Sequence, residues 1–218
     1  MSSKTRYFTN QINNQEYINT LEEDDKCLYF LEYATNQDDI EHTEEIRIVR
    51  NFKMDIKYKD TNRWQFKSQA ISFFARIISE SAIFIICRGA TIIPAPTSKP
   101  RNHPLWDDRL DQVADILAKK GRNVEYCLDT IEATTPAHHK GGSRYWKDFY
   151  ENTRYIEPIK PLKGEVWLLD DIFTSGSHFK AYKKLLQEHN PNIIVKGLFL
   201  ARAYNFTQPF KQCVMILD

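Results

Sequence analysis

The segment Glu165 to His178, EVWLLDDIFTSGSH, constrains the fold more than any other part of the chain. Val166-Trp167-Leu168-Leu169 reads as a buried strand that runs directly into two carboxylates, Asp170 and Asp171. A hydroxyl-rich turn with one glycine, Thr174-Ser175-Gly176-Ser177, then opens into a helix carrying Phe179, Tyr182, Leu185 and Leu186 on one face. Open α/β sheets bind ligands at the carboxyl ends of strands, where this turn is expected. A helix start presents unpaired N–H groups and the positive end of the dipole, so with the hydroxyls of Thr174, Ser175 and Ser177 it makes a phosphate cradle. Gly176 lets the backbone approach the anion closely.

The acid pair has to be reconciled with that cradle, because carboxylates repel phosphate. Ionised carboxylates accept hydroxyl hydrogen bonds strongly. A sugar phosphate satisfies both demands, with its 5-phosphate in the turn and its 2- and 3-hydroxyls on Asp170 and Asp171. Isolated acidic pairs usually cap turns; here the buried strand, the Ser-Gly-Ser turn and the helix favour a ligand.

The remainder of the chain reads as alternating strands and helices. Cys27 to Tyr33 is a strand rich in aromatic residues, and Ile46 to Ile56 is ambiguous between helix and strand. Ala70, Ile71, Phe74, Ile77, Ile78 and Ala82 recur at helical spacing. Thr91 to Pro96 is a short buried strand ended by its prolines, and Asp107 to Lys120 is a helix stopped by Gly121. Val124 to Leu128 and Ile193 to Leu200 are further strands. Thr134 to Tyr155, with its glycine and histidine pairs, interrupts the rhythm as a long loop of the kind that serves as a functional lid. The alternation implies a largely parallel sheet covered by helices.

Composition narrows the function classes. A net charge of +1 over 218 residues offers no field for a polyanionic partner, so nucleic acid is not indicated. Arg76, Glu80 and Arg88 break the most apolar stretch, which argues against a membrane span. Cys27, Cys87, Cys127 and Cys213 form no CxxC pair, and with no signal-peptide pattern the expectation is a cytoplasmic protein. No GxxxxGK and no GxGxxG after a strand occurs, which removes Walker and dinucleotide sites. The adjacent His138 and His139 have no supporting ligand cluster. Arg109, in DDRLDQ, is expected to pair with the neighbouring acids rather than with a ligand.

VWLLDDIFTSGSHFKAYKKLL resembles the apolar-strand, Asp-Asp, Thr-Thr-Gly-x-Thr signature of type I phosphoribosyltransferases. The ComF-like branch is the nearest in pattern, since IIPAPTSK and TTPAHHKGGSRYWKDFYEN are similar to its strand-proline element and its loop. His178 replaces the final threonine of the signature, and the zinc ribbon common in that branch is absent.

The resemblance implies a doubly wound, mainly parallel α/β domain over residues 64–218, preceded by an extension, 1–63. It implies binding of phosphoribosyl diphosphate, or another ribose 5-phosphate compound, by Asp170, Asp171 and the turn Thr174, Ser175, Gly176, Ser177 and His178. Thr97, Ser98 and Lys99 take the place of the diphosphate loop, and Lys140 and Arg144 that of a flexible lid. Mg2+ would be held through substrate and water, with Asp170 and Asp171 as its nearest protein groups. The implied reaction transfers the phosphoribosyl group to a nitrogenous acceptor and releases magnesium diphosphate, with Asp170, Asp171 and Lys99 as catalytic residues. The alternative is a catalytically silent sensor or partner-binding module on the same fold. A homodimer or a protein partner stays open.

Overall fold

The computed structural model describes residues 10–13, 20–34, 43–134 and 145–204. Its centre is a six-stranded sheet in the order β1-β2-β8-β7-β3-β4. The strands are β1 (Asn10–Gln11), β2 (Cys27–Ala34), β3 (Thr91–Pro94), β4 (Asn123–Val124), β7 (Glu165–Phe173) and β8 (Ile194–Tyr204). Every neighbouring pair is parallel except β1 with β2. A separate antiparallel pair joins β5 (Leu128–Thr130) to β6 (Thr153–Tyr155). The helices are α1 (Glu44–Phe52), α2 (Trp64–Glu80), α3 (Ile83–Ile86), α4 (Arg109–Lys119), α5 (Trp146–Glu151) and α6 (Ser177–His189).

Sequence pattern accounts for most elements. β7 buries every residue from Val166 to Asp171, as a central parallel strand must. α2 buries Ala70, Ile71, Phe74, Ala75, Ile77 and Ile78 at helical spacing, and α4 does the same with Leu110, Val113, Ala114 and Leu117. The ambiguous stretch resolves into α1, which buries Ile46, Val49 and Phe52 one turn apart. Thr43 caps it by accepting the Ile46 amide, with Glu44 and Glu45 in its first turn. Phe52 then meets Phe74 of α2 edge-on, with ring centroids 5.5 Å apart.

The residues expected to form an extension contribute to the same sheet and core. β2 lies against β8 from Cys27↔Gly197 to Ala34↔Tyr204. Gly197 permits that approach, since a Cβ there would stand 2.9 Å from the Cys27 sulfur and 2.6 Å from the Phe199 ring. No single helix among the described residues is long and apolar enough to cross a membrane.

The strand order places a reversal between β3 and β7. From β3 the chain proceeds to β4 on one side; β7 lies on the other side and is followed by β8 farther out. Pro94 pairs with Leu169, so the segments after Pro94 and after Leu169 leave the sheet side by side at its carboxyl edge.

Candidate functional site

Two backbone segments meet at that edge. Beyond β3, the carbonyls of loop 97–99 are held from behind. Thr130 donates its hydroxyl to the Thr97 carbonyl, and the Thr134 amide donates to the Ser98 carbonyl at 2.9 Å. The amides of Thr97, Ser98 and Lys99 have no acceptor among the described residues. The half-buried Lys99 side chain makes no ion pair or hydrogen bond there either.

Beyond β7, Thr174, Ser175 and Gly176 likewise have no acceptor for their amides among the described residues. The Ser175 hydroxyl lies 3.0 Å from that of Ser177 and accepts the Ser177 amide at 3.4 Å, which shapes the entry into α6. Gly176 adopts φ +78°, and a Cβ there would come within 3.0 Å of the Phe173 ring and 3.2 Å of Leu21 and Thr20. The positive φ favours glycine, and a larger residue would also press these three side chains aside by a few tenths of an ångström. Thr174 is exposed and Ser175 half-buried, so the turn remains accessible on that side. Carboxylate-free amides and hydroxyls beside a helix start are suited to an anion.

The two aspartates are not free carboxylates. Both are buried. Asp170 accepts the Asp171 amide at 2.7 Å on Oδ1 and faces His178 Nδ1 at 3.2 Å on Oδ2. Asp171 accepts the Ile172 amide at 2.6 Å on Oδ1, while its Oδ2 takes Arg109 at 2.5 Å and Lys53 at 3.5 Å. Arg109 also binds Asp107 at 2.6 Å, and Asp107 in turn binds the fully buried Lys67 at 2.7 Å. Lys67 donates as well to the Met54 carbonyl at 2.8 Å. Burial alone would raise the pKa of Asp171, but the charges of Lys53 and Arg109 more than offset it and hold the group well below the usual carboxylate range. Burial works against the charged form of Arg109, and Asp171 and Asp107 outweigh it, leaving the guanidinium more basic than usual. At Lys67 burial prevails over Asp107 and the pKa is lowered.

The structure thus brings Asp170, Asp171, Thr174 to His178 and loop 97–99 to one edge. Arg109 does pair with a neighbouring acid, Asp107, as its sequence context suggested, and it also reaches Asp171. Lys53 and Lys67 join the site without any local sequence signal; Lys53 lies just past the end of the ambiguous stretch's helix. His178 sits in the first turn of α6 with its ring edge against Phe149 of α5, 4.2 Å between centroids. Lys140, Arg144, His138, His139 and Cys213 lie outside the described residues; Cys27, Cys87 and Cys127 are buried free thiols.

The acids of β7 do not form a cage for a metal ion, since their oxygens already serve Arg109, Lys53, His178 and two amides. Among the described residues the three carboxylates close enough to share an ion are Glu22, Asp24 and Asp25, and Lys183 already pairs with Glu22 and Asp25. The residues present do not fit a protein-held Mg2+ at the carboxyl edge. A hollow of about 310 Å³ between segment 20–25 and α6 is lined by Glu22, Asp25 and Lys183 together with Lys184 and Glu188, which pair with each other at 2.9 Å.

No protein-family model matches the chain, and no curated protein matches it significantly in sequence. Among solved structures it is similar to a hypoxanthine phosphoribosyltransferase from Staphylococcus aureus, at 10% identity over 62% of this chain and 73% of that one, with a TM-score of 0.37. A likeness that distant carries no weight for function, and the site stands on its own geometry.

Proposed function

We propose that this chain is a phosphoribosyltransferase-like protein that binds phosphoribosyl diphosphate, or another ribose 5-phosphate compound, at the reversal between β3 and β7. One observation carries the reading: two runs of amides without acceptors among the described residues, 97–99 and 174–176, stand at adjacent strand ends. A molecule with an anionic group at each end of a ribose would use both sets of donors. The 5-phosphate would take the 174–178 turn, and the diphosphate the 97–99 loop beside Lys99. The sheet is read as doubly wound, because Asp170 and Asp171, adjacent on β7, engage α6 and α4 respectively and adjacent strand residues face opposite sides.

In the transfer itself a nitrogen nucleophile forms a bond to C1 of the ribose as the C1–O bond to diphosphate breaks. The nucleophile's proton passes to solvent or to the departing diphosphate. This chain's part is positioning, together with stabilisation of charge on the leaving group by the loop amides and Lys99. Lys140 and Arg144 are the cations proposed to cover it. Mg2+ would enter with the diphosphate, and no step of the protein's chemistry is routed through it.

A catalytically silent sensor on the same fold is the second reading. The observation favouring it is that every oxygen of Asp170 and Asp171 already has a protein partner. Diphosphate release from phosphoribosyl diphosphate, with magnesium and a panel of nitrogenous acceptors, separates the two. Turnover that falls at least about tenfold in Lys99→Met supports the enzyme. Binding without turnover selects the sensor, and absence of any sugar-phosphate binding removes both.

A further inference from the structure

Asp170 and Asp171 are equivalent in sequence and different in space. Asp171 is enclosed by a chain of fixed charges: Lys53 and Arg109 on its Oδ2, Asp107 on Arg109, and Lys67 on Asp107. The guanidinium is shared between two acceptors, Asp107 on Nη1 and Asp171 on Nη2, while its buried Nε has no partner among the described residues. Among the described residues Asp170 has one side-chain partner, His178, whose side chain retains 39% of its accessible surface.

A ribose hydroxyl has to displace a partner or share an oxygen. At Asp170 a rotation of one half-exposed imidazole opens the carboxylate. At Asp171 two cations would have to yield, and a buried charge left unpaired is strongly unfavourable.

We propose that the acids divide the work: Asp170 accepts the ribose hydroxyls, while Asp171 is a buried counter-ion, held by Arg109, that fastens α4 and the end of α1 to β7. This rests on the phosphoribosyl reading above and changes which residue selects the sugar. Asp170 is then the group that distinguishes ribose from 2-deoxyribose.

The test is calorimetric titration of ribose 5-phosphate and 2-deoxyribose 5-phosphate into the wild-type protein, Asp170→Asn, Asp171→Asn and Lys53→Gln, each also melted thermally. The wild type is expected to prefer ribose 5-phosphate by about tenfold, the worth of one charge-assisted hydrogen bond. Asp170→Asn should bring the ratio close to one with little change in melting temperature. Asp171→Asn should melt earlier, and its folded fraction should keep the ratio. Lys53→Gln, which removes only the 3.5 Å contact, should keep the ratio too and covers the case in which Asp171→Asn does not fold. A ratio lost in Lys53→Gln or Asp171→Asn, or kept in Asp170→Asn, overturns the division of labour while leaving the phosphoribosyl reading intact. A wild type that binds neither sugar phosphate overturns that reading, and this inference with it.

Discussion

The inner side of β7 around Asp171 and the turn that follows at Thr174 to Gly176 lie within a few residues of each other and are built on opposite terms. Around Asp171, charges are buried or half-buried and each is answered by another, from Lys53 through Arg109 and Asp107 to Lys67. At the turn, backbone donors have no acceptors among the described residues and the side chains are neutral hydroxyls. A buried charge tolerates no vacancy, so the first region behaves as structure. Unanswered amides at an accessible edge await an anion, so the second behaves as a binding site.

Breaking the ion chain should give the largest effect. Arg109→Met strands Asp171 and Asp107 in the interior and should destabilise the fold by about 3–5 kcal/mol, read as a shifted urea midpoint. Restoring neutrality with Asp171→Leu alongside it should recover part of that loss. Next comes Gly176→Ala, which strains φ +78° and presses a methyl against Phe173. A loss of about 1–3 kcal/mol is expected, along with weaker phosphate binding.

Acid titration sharpens the comparison further. Because the folded pKa of Asp171 is depressed, its contribution is fully present above the unfolded value of about 3.9 and is lost only as pH falls through the lower folded value. Stability from this group should therefore be flat between pH 7 and about pH 5, and Asp171→Asn should have a shallower acid limb than the wild type. Smallest in stability is Thr174→Val at the exposed start of the turn: within about 0.5 kcal/mol of wild type, with a several-fold loss of ribose 5-phosphate affinity. An Arg109→Met variant as stable as wild type, or a Thr174→Val variant that unfolds, would reverse the assignment of the two regions.

The contrast also marks what the sequence reveals. The strand, acid pair, turn and α6 are contiguous, and the change from an unbroken apolar run to helical spacing marks the junction by itself. The helices over Trp64–Glu80 and Arg109–Lys119 were legible for the same reason. The partners of Asp171 were not, because Arg109 lies 62 residues away and the contact depends on how α4 docks on β7. Lys53 caps a helix whose run was too short to tell from a strand, and Lys67 looks in sequence like any lysine on an amphipathic helix. The place of β2 in the main sheet was equally hidden. Its partner, β8, begins at Ile194, and parallel pairing leaves no local turn to announce it.

The central claim, that an anion belongs in the turn after β7, is met most directly by following backbone amide resonances as ribose 5-phosphate is added to 15N-labelled protein. The account predicts saturable shifts concentrated at residues 174–179, with the amides of Ile172 and Arg109, which are bonded to Asp171 and Asp107, shifting little. Shifts absent from that turn, or centred instead on the hollow beside Lys183 and Lys184, would contradict it.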